Sequence, residues 1–124
     1  MQPKWDENQP IYRQIRVRVE EMILDGLLGD GDPLPSVRTV AAEFQLNPLT
    51  VLKGYQELVD AGLVEKQRGK GMFVLPGARD RLLATARQQF AAEQWPRVLE
   101  TIERLGLDLD ELVGRERKNR EAES

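Results

Sequence analysis

The chain has no cysteine and no histidine. Their absence excludes disulfide frameworks, zinc sites built on thiolate or imidazole, cysteine nucleophiles, histidine bases and histidine pH switches. No apolar run approaches the roughly 20 residues that span a bilayer. The opening Met1-Gln2-Pro3-Lys4-Trp5-Asp6 has no signal-peptide core. A soluble cytoplasmic protein with no membrane segment, metal or cofactor is expected. Positive charge is not in excess either, since 18 Lys+Arg face 21 Asp+Glu and leave a formal charge of −3. Residues 1–76 hold nine cations against eleven carboxylates, and residues 77–124 nine against ten. A polyanionic partner must therefore be met by a local patch rather than by bulk attraction. What the chain does have is 40% hydrophobic residues in a length of 124. That suits one or two small modules better than a large catalytic domain.

The front of the chain reads as three helices and a hairpin. Pro10 suits a first helical position, and Ile11, Ile15, Val19, Met22 and Ile23 follow at helical spacing up to a stop at Gly26. Residues 26–35 are rich in Gly and Pro and read as a loop. Ser36 is placed to cap a short second helix with Val37, Val40, Ala41 and Phe44 inward, and Gln45-Leu46 make a tight link. Asn47 caps a third helix with Pro48 in its first turn, running to Ala61 before Gly62. Leu63–Lys66 and Met72–Leu75 are strand-like, and Gln67-Arg68-Gly69-Lys70-Gly71 between them has hairpin-turn chemistry. This order is that of a winged helix-turn-helix. Pro76-Gly77 reads as a boundary. Beyond it Leu82, Leu83, Ala86 and Phe90 predict one helix, and Pro96 opens another with Val98, Leu99, Ile102 and Leu105 inside. Asp108 and Glu111 have capping-box spacing and open a third helix through Leu109, Leu112 and Val113. Arg115 to Ser124 reads as a frayed helix end or polar tail.

The third helix carries the functional argument. On a wheel of about 100° per residue, Val51, Gly54, Tyr55 and Leu58 gather on one side and Leu49, Lys53, Gln56 and Asp60 on the other. The first group can pack, with Gly54 permitting close approach. The second faces outward at the positive end of the helix dipole. Thr50 and free backbone N–H groups suit phosphate, Lys53 suits phosphate or guanine, and Leu49 suits a thymine methyl. Taken singly, Leu49 fits a partly buried side chain and Lys53 a solvated cation equally well. The short helix before them and the basic turn after them tip the balance toward DNA. In that turn Lys66, Arg68 and Lys70 cluster, while Gly69 and Gly71 let the backbone come close to a ligand. Arg38, one turn into the second helix, can reach a phosphate or a base edge; its ordinary alternative is an ion pair with Glu43 or Asp32.

These residues have a family pattern. Leu34-Pro35-Ser36-Val37-Arg38-Thr39-Val40-Ala41, then Asn47-Pro48-Leu49-Thr50-Val51-Leu52-Lys53-Gly54-Tyr55-Gln56-Glu57-Leu58, then Gly62-Leu63-Val64 and Arg68-Gly69-Lys70-Gly71-Met72-Phe73-Val74 closely resemble the winged helix-turn-helix of the GntR family of bacterial transcription regulators. Pro10-Ile11-Tyr12-Arg13-Gln14-Ile15 is similar to that family's opening helix. The short helical C-terminus resembles the YtrA subfamily, whose members dimerise through a few C-terminal helices. The resemblance implies DNA contacts at Arg38, Thr50, Lys53 and Gly69 with Arg68 beside it. Relatives often have Arg where this chain has Pro48 and a polar residue where it has Leu49, so the operator sequence is not inherited.

The reading is a mainly α protein. Residues 1–76 form a winged helix-turn-helix of three helices plus a β-hairpin wing, and residues 77–124 a short helical dimerisation module with a charged tail. Its expected function is sequence-specific DNA binding as a homodimeric transcriptional regulator, most simply a repressor, on a palindromic double-stranded operator. The candidate DNA contacts are Ser36, Arg38, Asn47, Leu49, Thr50, Lys53, Arg68, Gly69, Lys70 and Gly71. The candidate dimerisation residues are Leu82, Leu83, Phe90, Val98, Leu99, Ile102, Leu105, Leu109 and Leu112. The resemblance leaves room for a small-molecule effector, which no residue identifies. A winged-helix protein-interaction module that never meets DNA is the alternative, favoured by the acidic composition. An enzyme is not expected, because Asp108, Asp110 and Glu111 are explained as helix N-terminal charges. Lys118 in the tail is also poorly placed for a buried Schiff base.

Overall fold

The computed structural model describes residues 5–123. Helix α1 is Ile11–Leu24, α2 Val37–Phe44 and α3 Pro48–Asp60, followed by strands β1 Val64–Gln67 and β2 Gly71–Val74. Each boundary has a local cause. Pro10 stands just outside α1, at φ −58° and ψ 140°. The Ser36 hydroxyl accepts from the Thr39 N–H at 3.0 Å, and the Asn47 side chain accepts from the Leu49 N–H at 2.9 Å with Pro48 in the first turn. Between these two helices Gln45 takes a left-handed conformation, φ 54°, and the Leu46 N–H returns to the Ala41 carbonyl. The strands pair antiparallel with Val64 opposite Val74 and Lys66 opposite Met72.

Residues 31–34, which the sequence alone suggests are loop, pair along the free edge of β2. The Gly31 N–H donates to the Val74 carbonyl, the Val74 N–H to the Asp32 carbonyl and the Leu34 N–H to the Met72 carbonyl, at 2.8, 2.9 and 2.8 Å. Pro33 is tolerated here because this segment is an outer edge. The hairpin is thereby stitched to the chain entering α2.

One core serves this unit. Ile15, Val19 and Ile23 of α1 meet Val51, Tyr55 and Leu58 of α3, and Ala41, Leu63, Val64, Met72 and Val74 close the sides. Val51 and Leu58 are completely shielded, at 0% exposure. Helices α1 and α3 come close together at Gly54, where a Cβ would stand 2.6 Å from the Tyr12 carbonyl oxygen. The expectation that Gly54 permits close approach holds.

Helix α4, Ala78–Gln89, follows. Its first turns belong to the same unit, which ends at Ala84. Ala78 is buried in the core and Leu82 half-buried against it. Arg79 donates to the Leu24 carbonyl at 3.0 Å and Arg81 to the Ala61 carbonyl at 3.5 Å, so each places a cation at the negative end of a helix.

The second unit begins at Thr85. It holds the end of α4, a π-helical turn Phe90–Gln94, α5 Trp95–Arg104 and α6 Leu109–Glu123. Pro96 stands in the first turn of α5, as the sequence suggests, but no break separates this helix from the π turn before it. The Trp95 N–H bonds five residues back to the Phe90 carbonyl, and the helical backbone runs on unbroken. Proline has no N–H to offer four residues back, and its ring crowds that carbonyl, so one widened turn absorbs the fault. The Asp108 carboxylate accepts from the Glu111 N–H at 3.2 Å, as the capping spacing implies. The polar stretch after Arg115 is helical to Glu123, held in part by Arg120 and Glu116 one turn apart at 3.1 Å. No helix among the described residues is long and apolar enough to cross a membrane.

Gly54→Ala is expected to destabilise the first unit by about 1–3 kcal/mol, because its methyl meets a backbone carbonyl rather than a mobile side chain. Gly114→Ala, where nothing lies within 4 Å, is expected to stabilise α6 by about 1 kcal/mol. Urea unfolding of the two variants checks both signs.

Candidate nucleic-acid interface

The helix-turn-helix leaves two helix N-termini exposed, and the wing stands beside one of them. Ser36 and Val37 at the start of α2, Leu52 and Tyr55 of α3, and Lys66 and Lys70 of the wing line one groove of about 310 Å³. Alternation along the hairpin places Lys66 in the groove, and Lys70 joins it from the turn. Lys66 shares its side of the sheet with its cross-strand partner Met72, which also lines the groove, while Glu65 pairs with Phe73 on the other face. The tip is closed by a Lys70 N–H bond to the Gln67 carbonyl at 3.0 Å. Gly69 and Gly71 have φ of +76° and +116°, a region only glycine enters without strain. Arg68 is part of this tip.

Val37 also lines a second, shallower hollow with Arg38, Ala41, Ala42, Leu46 and Pro48. Arg38 and the start of α3 therefore share a concave surface that adjoins the wing groove. Arg38 forms no ion pair among the described residues, so neither Glu43 nor Asp32 claims it. Asp32 instead accepts from the Gly29 N–H at 2.8 Å. Leu49 is 70% exposed at the first turn of α3, which excludes a core role for it. Thr50 is half-buried, and its N–H returns to the Asn47 carbonyl at 2.9 Å.

Lys53 is the exception. It is exposed, but its ammonium lies 4.0 Å from the centroid of the Tyr12 ring, over the aromatic face. Neither hollow includes it. Sequence reading missed Tyr12, and it missed the ion pair one turn further along the same two helices. There Arg16 Nη1 donates to Glu57 Oε1 at 2.7 Å, while Arg16 Nε stays 3.7 Å from Glu20. Burial raises the Glu20 pKa, with Glu21 and Glu57 adding to the effect and Arg16 opposing it. Residues 12 and 16, like 53 and 57, are one helical turn apart, but that spacing places each pair on one helix face and does not show that the two faces meet.

Tyr55 anchors α3 beneath the groove. Its hydroxyl donates to the Pro35 carbonyl at 2.8 Å, directly before the Ser36 cap. Burial pushes this hydroxyl up to about 12 from the ordinary 10.0. No cluster of three or more acidic, histidine or cysteine side chains arranged to hold a metal occurs among the described residues.

The family model described as bacterial regulatory proteins, gntR family, matches residues 11–74. The HTH-type transcriptional repressor YtrA of Bacillus subtilis is 35% identical over 103 residues, covering 83% of this chain and 78% of the relative. A GntR family transcriptional regulator from Listeria monocytogenes superposes with a TM-score of 0.75 at 25% identity, over 92% of this chain and 98% of that one. The DNA-binding domain of AraR, solved in complex with operator ORX1, gives 0.52 at 25% identity over 60% of this chain and 90% of that one.

The raised Tyr55 pKa sets an alkaline limit. A neutral hydroxyl bonded to Pro35 stabilises the fold fully below about pH 10, and that stability is lost as pH rises through about 12. Tyr55→Phe is expected to lower stability at pH 8 and to flatten the decline between pH 10 and 12, as read from denaturant midpoints.

Proposed function

Because this chain belongs to the GntR family of bacterial regulatory proteins and is a DNA-binding transcriptional regulator, we propose that it acts as a homodimeric repressor on a two-fold symmetric operator. The observation that carries this reading is the groove where the capped start of α2 meets Lys66 and Lys70 of the wing. Backbone N–H groups at a helix start and lysines opposite them are what a phosphate chain needs on its two sides. Arg38 in the adjoining hollow and the exposed Leu49 then stand toward base edges, Arg38 for guanine or phosphate and Leu49 for a thymine methyl. Asn47, Thr50, Arg68, Gly69 and Gly71 complete the surface. The protein works in the cytoplasm, where bacterial DNA is, and without catalysing a reaction.

The second unit supports the dimer. Ile102 is its one buried hydrophobic side chain among the described residues, while Phe90, Val98, Leu99, Leu105, Leu107, Leu109 and Val113 are exposed. A segment of about 40 residues with no disulfide or metal does not build a sufficient core alone. A second copy supplies the missing apolar surface. Leu82 is already half-buried in the first unit, so the partner surface centres on the residues from Phe90 onward. Two-fold symmetry sets half-sites about 34–36 Å apart, or a multiple of that.

Selection of bound sequences from a random duplex pool, followed by gel shift at about 50 mM salt, is expected to return an inverted repeat; the absence of any shifted complex would refute DNA binding. Arg68→Ala and Lys70→Ala should weaken binding to every sequence, and each should reduce the salt slope by about 1. Leu49→Ala should change base preference at one position per half-site. Val98→Asp with Leu105→Asp should yield a monomer in sedimentation and reduce operator affinity at least a hundredfold; a dimer that persists in this variant excludes the α5 surface.

A further inference from the structure

The recognition helix has a lysine whose resting partner is an aromatic ring. Lys53 Nζ sits 4.0 Å from the Tyr12 centroid. The backbone fixes both ends of this contact. Gly54, the next residue, lies where its absent Cβ would press on the Tyr12 carbonyl. One turn on, Arg16 and Glu57 close at 2.7 Å. Tyr12 and Arg16 are one turn apart on α1, as Lys53 and Glu57 are on α3, so the contacts form two rungs between the same helices. Lys53 has no ion pair among the described residues, and it is the ring that orders its four-carbon stem.

We propose that Tyr12 is a positioning residue for DNA recognition: its ring holds the Lys53 ammonium at the edge of α3 and reduces the conformational freedom the lysine must lose when it meets DNA. The inference rests on the DNA-binding reading above and deepens it. A free lysine samples many rotamers, and its ordering opposes binding. A cation over a ring remains free to accept a further anionic partner, since the ring face occupies one side of the ammonium and its other N–H groups stay available. Tyr12 itself is half-buried in the first turn of α1, and Phe at this position keeps the ring.

A double-mutant cycle on the full chain tests this with the operator obtained by selection. Tyr12→Leu is expected to weaken operator binding about three- to tenfold, and Tyr12→Phe less than about twofold. In a Lys53→Ala background Tyr12→Leu should have no further effect. Equal losses in both backgrounds would make Tyr12 a packing residue only and overturn the proposal. Tighter binding by Tyr12→Leu would overturn it too, because the ring would then compete with DNA. An unchanged affinity for Lys53→Ala alone would remove Lys53 as a contact and overturn it, while leaving operator binding by the wild type intact. A second readout needs no variant. The Lys53 ε-methylene protons of the wild-type protein should show an upfield ring-current shift by NMR, and the shift should persist in the operator complex. Its disappearance on binding overturns the proposal. Failure of the wild type to bind any duplex would instead refute the DNA reading itself.

Discussion

The Tyr12 carbonyl occupies the space that a side chain at residue 54 would fill, and the placement of α3 follows from this contact. A helix that offers its N-terminal turns to a ligand must be held by the opposite face. Val51, Tyr55 and Leu58 supply that hold, at 0%, 2% and 0% exposure. They form a narrow stripe, so the depth at which α3 seats on α1 decides which residues flank it. A glycine at the crossing lets the helices approach until Lys53 reaches Tyr12 and Glu57 reaches Arg16. A bulkier residue would lift α3 and break both rungs together. Tyr55 links the same helix to the residue before the α2 cap, so the start of α2, the wing groove and α3 take their positions from one packed face.

Much of this is legible in the sequence because its causes are local. Ser36 and Asn47 accept bonds from residues two or three positions ahead, and such short-range chemistry is visible in sequence. The wing is readable from its glycines and flanking apolar runs, with each strand displaced by one residue. The YtrA-like resemblance agrees with a repressor 35% identical over most of the chain. The features that escape a sequence reading join residues far apart. Tyr12 to Lys53 and Arg16 to Glu57 cross between helices, and neither pair is marked by its neighbours. Residues 31–34 look like loop because Gly and Pro dominate them, yet an outer edge needs donors and acceptors on one side only. Pro96 reads as a fresh helix start and does stand in the first turn of α5, but the π turn before it joins α5 to α4 without the break that a proline suggests. The polar end suggests fraying through its lack of apolar residues, but Arg, Glu, Lys and Ala are good helix formers and pair one turn apart.

The acidic composition is reconciled by where the carboxylates go. Glu57 is held by Arg16 and Asp32 by the Gly29 N–H, while Asp60 accepts from Gln56 at 3.1 Å. Glu65 faces away from the groove that Lys66 enters. The cations beside the two helix starts have no carboxylate partners among the described residues. Fields beyond a Debye length of about 8 Å are largely screened at physiological salt, so a phosphate placed in the groove would respond to this local set and not to the sum over the chain. The set is nevertheless small. Under the proposed reading one copy offers Arg38, Lys53, Lys66, Arg68 and Lys70, and a slope set by so few contacts would give it only modest affinity. Two copies in the proposed dimer would double the contacts, and the second half-site would be engaged at the effective concentration fixed by the first. In the proposed dimer, an acidic chain with a sparse cationic surface would therefore draw on its second copy for affinity as well as for symmetry. That ties the bare apolar surface of the C-terminal helices to the same requirement that shapes the wing.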